Sequence, residues 1–268
     1  MMAMTTTQPV GDLLREWRQR RRMSQLDLSL EADISTKHLS FLETGRSQPS
    51  RDMVLHLAEQ LDVPLRERNV LLVSAGYAPV FAERPLQDQA LQAARKAVEM
   101  LLKGHEPFPA LAVDRHWTLV AANSAVGRLI AGADAELLTP PINVLRLSLH
   151  PKGLAPRTAN LAEWRAHILA RLRRQVEVSG DPKLADLLQE LSGYSLRETA
   201  RSRSAGDHEY AGVVVPFRLV TDDGILSFLS TTTVFGTPLD ITLSELALET
   251  FFPADNATAE ALRAQSGA

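Results

Sequence analysis

Thr36, Lys37 and Ser40 place two hydroxyls and one ammonium group within a single helical turn, and Thr44 follows one turn later. Short donors and acceptors on one helix face are the chemistry of reading base edges in a DNA groove. Phe41, among them, offers a ring to a thymine methyl. Cations gather nearby. Arg15, Arg18, Arg20, Arg21 and Arg22 share one segment with only Asp12 and Glu16, and Arg46 and Arg51 come later. Arg18, Arg22, Thr44, Arg46 and Arg51 are the expected phosphate contacts. Gln25 joins them, because backbone N–H groups at a helix start already favour an anion. The net charge of −3 does not advertise a polyanion partner, so local clustering has to supply these contacts.

Catalytic chemistry has no comparable set of residues. His38, His56, His105, His116, His150, His167 and His208 are scattered, without the paired spacing of metal ligands. Asp222-Asp223 resembles a carboxylate pair, but Gly224 beside it makes the trio a turn. No nucleophile elbow, phosphate loop or dinucleotide fingerprint appears. The absence of cysteine removes thiolate chemistry and disulfides and fits a reducing cytoplasm. The expectation is therefore a non-enzymatic chain with no metal and no cofactor.

The reading face needs a frame, and residues 24–45 supply one. Ser24 is suited to cap a helix, with Asp27 reaching back in a variant of the capping box. Leu26, Leu28 and Leu30 make that short helix apolar, and Asp33 stands where the chain turns. Ser35 caps the next helix, Leu39 and Leu42 fall on its inner face, and Gly45 closes it. Helices are expected at about 10–22, 24–31, 35–43, 51–61 and 65–75, with Met53, Leu57 and Leu61 inward in the fourth and Val70, Leu71 and Val73 in the fifth.

The whole chain of 268 residues is long enough for two domains. Residues 1–9 are expected to be disordered and 10–76 to form the helical domain. Gly76–Pro85 reads as a boundary, and residues 77–104 as a linker with an amphipathic connector helix over Leu86–Lys103. That helix could pack on its own domain or pair with a second copy. Residues 105–256 then change period. Ala110–Val113 and Thr118–Ala121 read as a hairpin, and Asn123 as the cap of a helix over Ser124–Ile130. Helical stretches follow near Leu137–Leu149, Leu161–Val178 and Lys183–Leu191. Strands close the domain at Val213–Thr221, Ile225–Phe235 and Glu245–Phe252. Residues 257–268 are left as a tail. The fold class is multidomain: an all-α five-helix domain, then an α+β domain with a five-stranded antiparallel sheet. No run of residues is apolar enough to span a membrane, and Met1–Val10 lacks a signal-peptide core.

Residues 10–75 resemble the Cro/C1-type (XRE family) helix-turn-helix, through Ser24-Gln25, Ile34, Leu39, Leu42, Glu43-Thr44-Gly45-Arg46 and Gln48-Pro49-Ser50. Asp33 departs from the glycine usual at that turn. The resemblance implies that Thr36, Lys37, Ser40 and Phe41 make the base contacts. The second domain has the strand and helix order of a PAS fold. Its runs at Pro109–Asp114, Val215–Leu219, Phe235–Asp240 and Phe251–Asp255 resemble the MmyB-like ligand-binding domain. This implies a DNA-binding transcriptional regulator that uses a double-stranded operator as a homodimer. It also implies a small hydrophobic ligand, with a fatty acid or similar molecule as the candidate.

Leu226, Phe228, Ser230, Thr232 and Val234 alternate on one strand face, lining either a cavity or an ordinary sheet. Trp164, Ile168 and Leu172 form a helical stripe that could cover it. Trp164, Ile168, Phe217, Phe228, Ser230, Thr232 and Arg165 are the candidate pocket residues, with Arg146 and Arg218 as other cations for an acidic ligand. The competing expectation is a purely assembling domain that senses nothing.

Overall fold

The computed structural model describes residues 8–195, 214–222 and 224–266. The expected disorder of residues 1–7, the start of the strand at Val213, His208 and Asp223 lie outside them. Two compact units form, one built mainly on residues up to Arg84 and the other mainly on those from Pro85 onward.

In the first unit the caps act as the sequence requires. Helices α1 (Val10–Arg20), α2 (Gln25–Glu31), α3 (Thr36–Glu43), α4 (Arg51–Gln60) and α5 (Leu65–Ser74) follow one another. Ser24 Oγ accepts from Asp27 N at 3.1 Å while Ser24 N donates to Asp27 Oδ2 at 2.7 Å, a reciprocal capping box. Ser35 and Ser50 cap α3 and α4 by accepting from His38 N and Met53 N. Asp33 takes the left-handed conformation at φ 50°, as the turn demands. At the end of α3, Gly45 has φ 70°, and Arg46 N and Gly45 N donate to the carbonyls of Phe41 and Leu42. The core joins Leu14, Trp17, Leu28, Leu39, Leu42, Leu57, Leu61, Leu71 and Leu72.

Two apolar assignments are corrected. Leu26 and Leu30 are exposed, leaving Leu28 as the buried leucine of α2. Residues two apart point to opposite sides of a helix, so the three could not share a face. Val70 and Val73 are likewise exposed in α5, where Leu71 and Leu72 face inward. Helix α1 crosses α3 so closely that a Cβ on Gly11 would lie 2.4 Å from the Leu42 carbonyl oxygen.

The second unit opens with a 3-10 turn at Gln89–Leu91 and helix α6 (Gln92–Gly104), later than the expected start at Leu86. Then come β1 (Ala110–Val113), β2 (Leu119–Ala122), α7 (Ser124–Ile130), α8 (Val144–Leu149), α9 (Leu161–Ser179) and α10 (Pro182–Ser192). The chain ends in β3 (Phe217–Thr221), β4 (Gly224–Val234), α11 (Ile241–Ser244), β5 (Ala247–Pro253) and α12 (Asn256–Ser266). The strands form a five-stranded sheet of order β2-β1-β5-β4-β3, antiparallel at every pairing. Two strands, a helical block and three strands is the order expected of a PAS fold.

Strand β1 is buried on both faces, and its alternation sorts them by size. Ala110 and Ala112, with Leu246 and Leu248, meet Val98 and Leu102 of α6. Leu111 and Val113 face the larger core, which holds Phe217, Leu219, Leu226 and Phe228 together with Trp164, Ile168 and Leu172. Small residues let α6 approach, and large ones fill the side that carries the helices.

Three departures have local causes. The helix expected from Leu137 begins at Val144, because Pro140-Pro141 cannot continue a helical hydrogen-bond ladder. Asn123 stands at the N-cap of α7 without capping it by side chain. Its amide instead accepts from Ala110 N and donates to the Leu102 and Phe108 carbonyls, while Glu106 Oε1 accepts from Ser124 N. The expected tail is helical as far as Ser266, and it places Leu262 in the core.

Candidate nucleic-acid face and apolar cavity

The outward side of α3 gathers most of the predicted readers. Thr36 and Lys37 are exposed, Ser40 and Phe41 are half-buried, and Thr44 is exposed at the C-cap. Thr36 Oγ1 lies 3.0 Å from Ser29 Oγ of α2, and Thr44 Oγ1 donates to the Ser40 carbonyl at 2.7 Å. Lys37 Nζ and the Arg46 guanidinium sit 5.6 and 5.8 Å from the Phe41 ring centroid, so the three form a positively charged apolar ridge. Arg22 and Arg51 are exposed.

Arg18 differs from its prediction. Only 10% of its side chain is exposed, and its guanidinium grips Glu43 at both ends: Nε to Oε1 at 2.6 Å and Nη2 to Oε2 at 2.9 Å. Nη1 donates to the Met23 carbonyl at 2.8 Å. Gln25 Nε2 donates to the same carboxylate at 2.8 Å. Arg18 therefore ties α1 to α3 from inside instead of facing a phosphate, and Gln25 is held against the same pair. Burial alone would raise the Glu43 carboxyl, but hydrogen bonds from Arg18 and Gln25 and the charges of Arg18 and Arg15 hold it below the usual range. A basic run of sequence cannot reveal which of its arginines turns inward.

In the second unit, an apolar cavity of about 100 Å³ opens between the large-residue side of the sheet and helices α7, α8 and α9. Trp164, Ile168, Phe217 and Ser230, four of the candidate pocket residues, line it. Phe228 is fully buried, stacked 6.2 Å behind Phe217 and edge-on to Phe251 at 6.3 Å. Thr232 sits beyond the lining, and its Oγ1 donates to Glu249 Oε1 at 2.9 Å.

The predicted cations are elsewhere. Arg165 donates to the Ser192 carbonyl at 2.7 Å, outside the cavity. Arg146 pairs with Glu190 at 2.7 Å, and Arg218 alternates away from the core residues Phe217 and Leu219. The cavity's cation is Arg171, held by Glu249 at 2.6 and 3.1 Å and stacked 4.5 Å over the Trp117 ring. The signal was present in the sequence. Trp164, His167, Ile168 and Arg171 are spaced i, i+3, i+4, i+7, a single helical stripe, whereas Arg165 is turned about 100° away. Glu249 escaped because Leu246, just before β5, with Leu248 and Phe252 marks one side of this stretch as apolar, while Glu249 and Phe251 line the cavity from the other side.

Filling this space is expected to exclude any occupant. Ile168→Trp should lower uptake of a hydrophobic probe at least tenfold and cost about 1–3 kcal/mol of stability through overpacking. Titration of purified variant and parent with the same probe measures this; equal uptake would remove the cavity as the binding place.

Comparison with known proteins adds the following. Residues 94–264 match the pattern of the MmyB-like transcription regulator ligand binding domain, and residues 14–68 match a helix-turn-helix family. A protein of Methanoculleus marisnigri named as an HTH-type transcriptional regulatory protein is 36% identical over 116 residues, covering 41% of this chain and 37% of that one. The matched region thus spans little more than a third of that relative's length. A solved structure titled as an RNA-binding light-oxygen-voltage receptor aligns over 94% of this chain and 63% of its own, at 14% identity and a TM-score of 0.25, too low to support an argument.

Proposed function

Since the chain belongs to the MmyB-like transcription regulators and carries a helix-turn-helix, we propose that it binds a specific DNA operator as a homodimer and that a small hydrophobic, fatty-acyl-type ligand in its second unit changes that affinity. Thr36, Lys37, Ser40 and Phe41 contact bases, and Arg22, Thr44, Arg46 and Arg51 contact phosphates. Two copies place their α3 helices about one DNA turn apart on a palindromic site. The ligand acts only if it binds two arrangements of the regulator unequally.

The observation that carries the sensing half is the cavity, whose wall is mostly apolar, with one charged pair, Arg171–Glu249, and a few neutral polar side chains. A second reading, a unit that merely joins two copies, draws on Met100 and Leu101, which are exposed on α6. Among the described residues no helix is long and apolar enough to cross a membrane, and no cluster of His, Asp and Glu is arranged to hold a metal.

Fluorescence anisotropy on the DNA upstream of the protein's own gene tests the proposal, with straight-chain acids, alcohols and esters added in turn. A salt-dependent, sequence-specific complex that shifts at least fivefold with one of them is the expected result. Specific binding that ignores every compound would favour the joining role. Absence of specific binding would overturn the DNA half.

A further inference from the structure

Building on the reading that the cavity holds a small apolar ligand, we infer that this ligand ends in an uncharged hydrogen-bonding group, an alcohol, ester or amide, and not in a free carboxylate. The polar corner of the cavity is already neutral. Arg171 comes from α9, Glu249 from β5, Thr232 from β4 and Trp117 from the turn after β1, so four separate elements fix this corner. Glu249 receives both guanidinium nitrogens and the Thr232 hydroxyl, and its side chain is only 6% exposed. Arg171 Nη2 also donates to Thr232 Oγ1 at 2.8 Å.

An incoming carboxylate has two ways to meet this corner, and both are unfavourable. It can sit beside an intact pair, bringing a second negative charge next to buried Glu249. Alternatively it can take Arg171 for itself and strand Glu249 without its partner. Among the described residues lining the cavity, Arg171 is the one permanent cation. His167 does not replace it. Burial, together with the charges of Arg171 and Arg174, holds His167 below the ordinary imidazole range and therefore neutral at pH 7.

What the cavity wall offers instead is neutral capacity. Among the described residues, neither the Ser230 hydroxyl nor the His167 ring has a hydrogen-bond partner, and both line the cavity; His167 lies stacked against Trp164 at 5.5 Å. Ser148 Oγ accepts from Trp164 Nε1 at 3.0 Å and keeps its own proton to donate. A hydroxyl, ester or amide can use these groups without disturbing the ion pair.

Decan-1-ol, methyl decanoate and decanoate serve as matched probes, titrated into the full chain at pH 7 and followed by isothermal calorimetry. The two neutral probes should bind at least tenfold more tightly than the acid, about 1.4 kcal/mol. Glu249→Gln frees the Arg171 charge and should narrow or reverse that preference. Arg171→Gln combined with Glu249→Gln restores neutrality and should restore the preference, which also separates charge from damage to the fold. If the acid binds the parent as tightly as the alcohol, the inference is overturned while the ligand-binding reading stands. If none of the three probes binds, both fall together.

Discussion

Arg18→Ala is expected to destabilise the first unit by about 3–5 kcal/mol, the usual loss when one partner of a buried ion pair is removed. The effect is large because the variant leaves Glu43, whose side chain is fully buried, charged and without its bidentate partner. Gln25 and Arg15 remain nearby, the latter at 3.6 Å from Oε2, and these soften the loss without replacing a two-point grip. Arg18→Lys should rescue little, because an ammonium cannot match both carboxylate oxygens. Thermal and urea denaturation followed by circular dichroism measure the change. A loss below about 1 kcal/mol would place the pair among surface bridges of small effect. The pH dependence has a definite sign. Glu43 is held below its ordinary value of 4.5, so its contribution is complete above that pH and is lost as pH falls below it. In Arg18→Ala this acid-sensitive part of stability should shrink.

Lys37→Ala should weaken operator binding by about 1–3 kcal/mol and relax base preference, whereas Arg51→Ala should weaken every sequence alike and flatten the salt slope by about one. The difference follows from position. Lys37 stands on the exposed first turn of α3, beside Phe41, where the proposed docking sets a side chain against base edges. Arg51 is the first residue of α4, exposed where the backbone N–H groups already favour phosphate. Anisotropy on operator and scrambled DNA over a range of salt separates the two. Unchanged binding by Lys37→Ala on both DNAs would move the reading face away from α3.

Much of this was legible in the residues because it depends on local rules. Ser24, Ser35 and Ser50 mark helix starts through hydrogen bonds that reach only three residues, so spacing alone locates them. The strand positions follow from alternation, and the β3–β4 pairing from one Gly-containing hairpin, where Thr221 pairs with Gly224. The misses lie where distant segments meet. Arg18 and Glu43 are 25 residues apart, and Arg171 and Glu249 are 78 apart. In both cases a charged residue that looks solvated in the chain is buried by a partner supplied by the fold. Asn123 shows the same at smaller scale. Its sequence context says cap, yet three backbone groups take its amide instead.

The close crossing at Gly11 divides responsibilities within the first unit. The Leu42 and Glu43 carbonyls occupy the place a side chain would need, so the pose of α3 is set by main chain against main chain. Lys37 and Ser40 take no part in that crossing. Exchanging them should therefore retune sequence preference with little structural penalty, and such changes should combine nearly additively with changes in the frame. An engineer wanting a regulator for a new operator would randomise the α3 face and leave Gly11 alone.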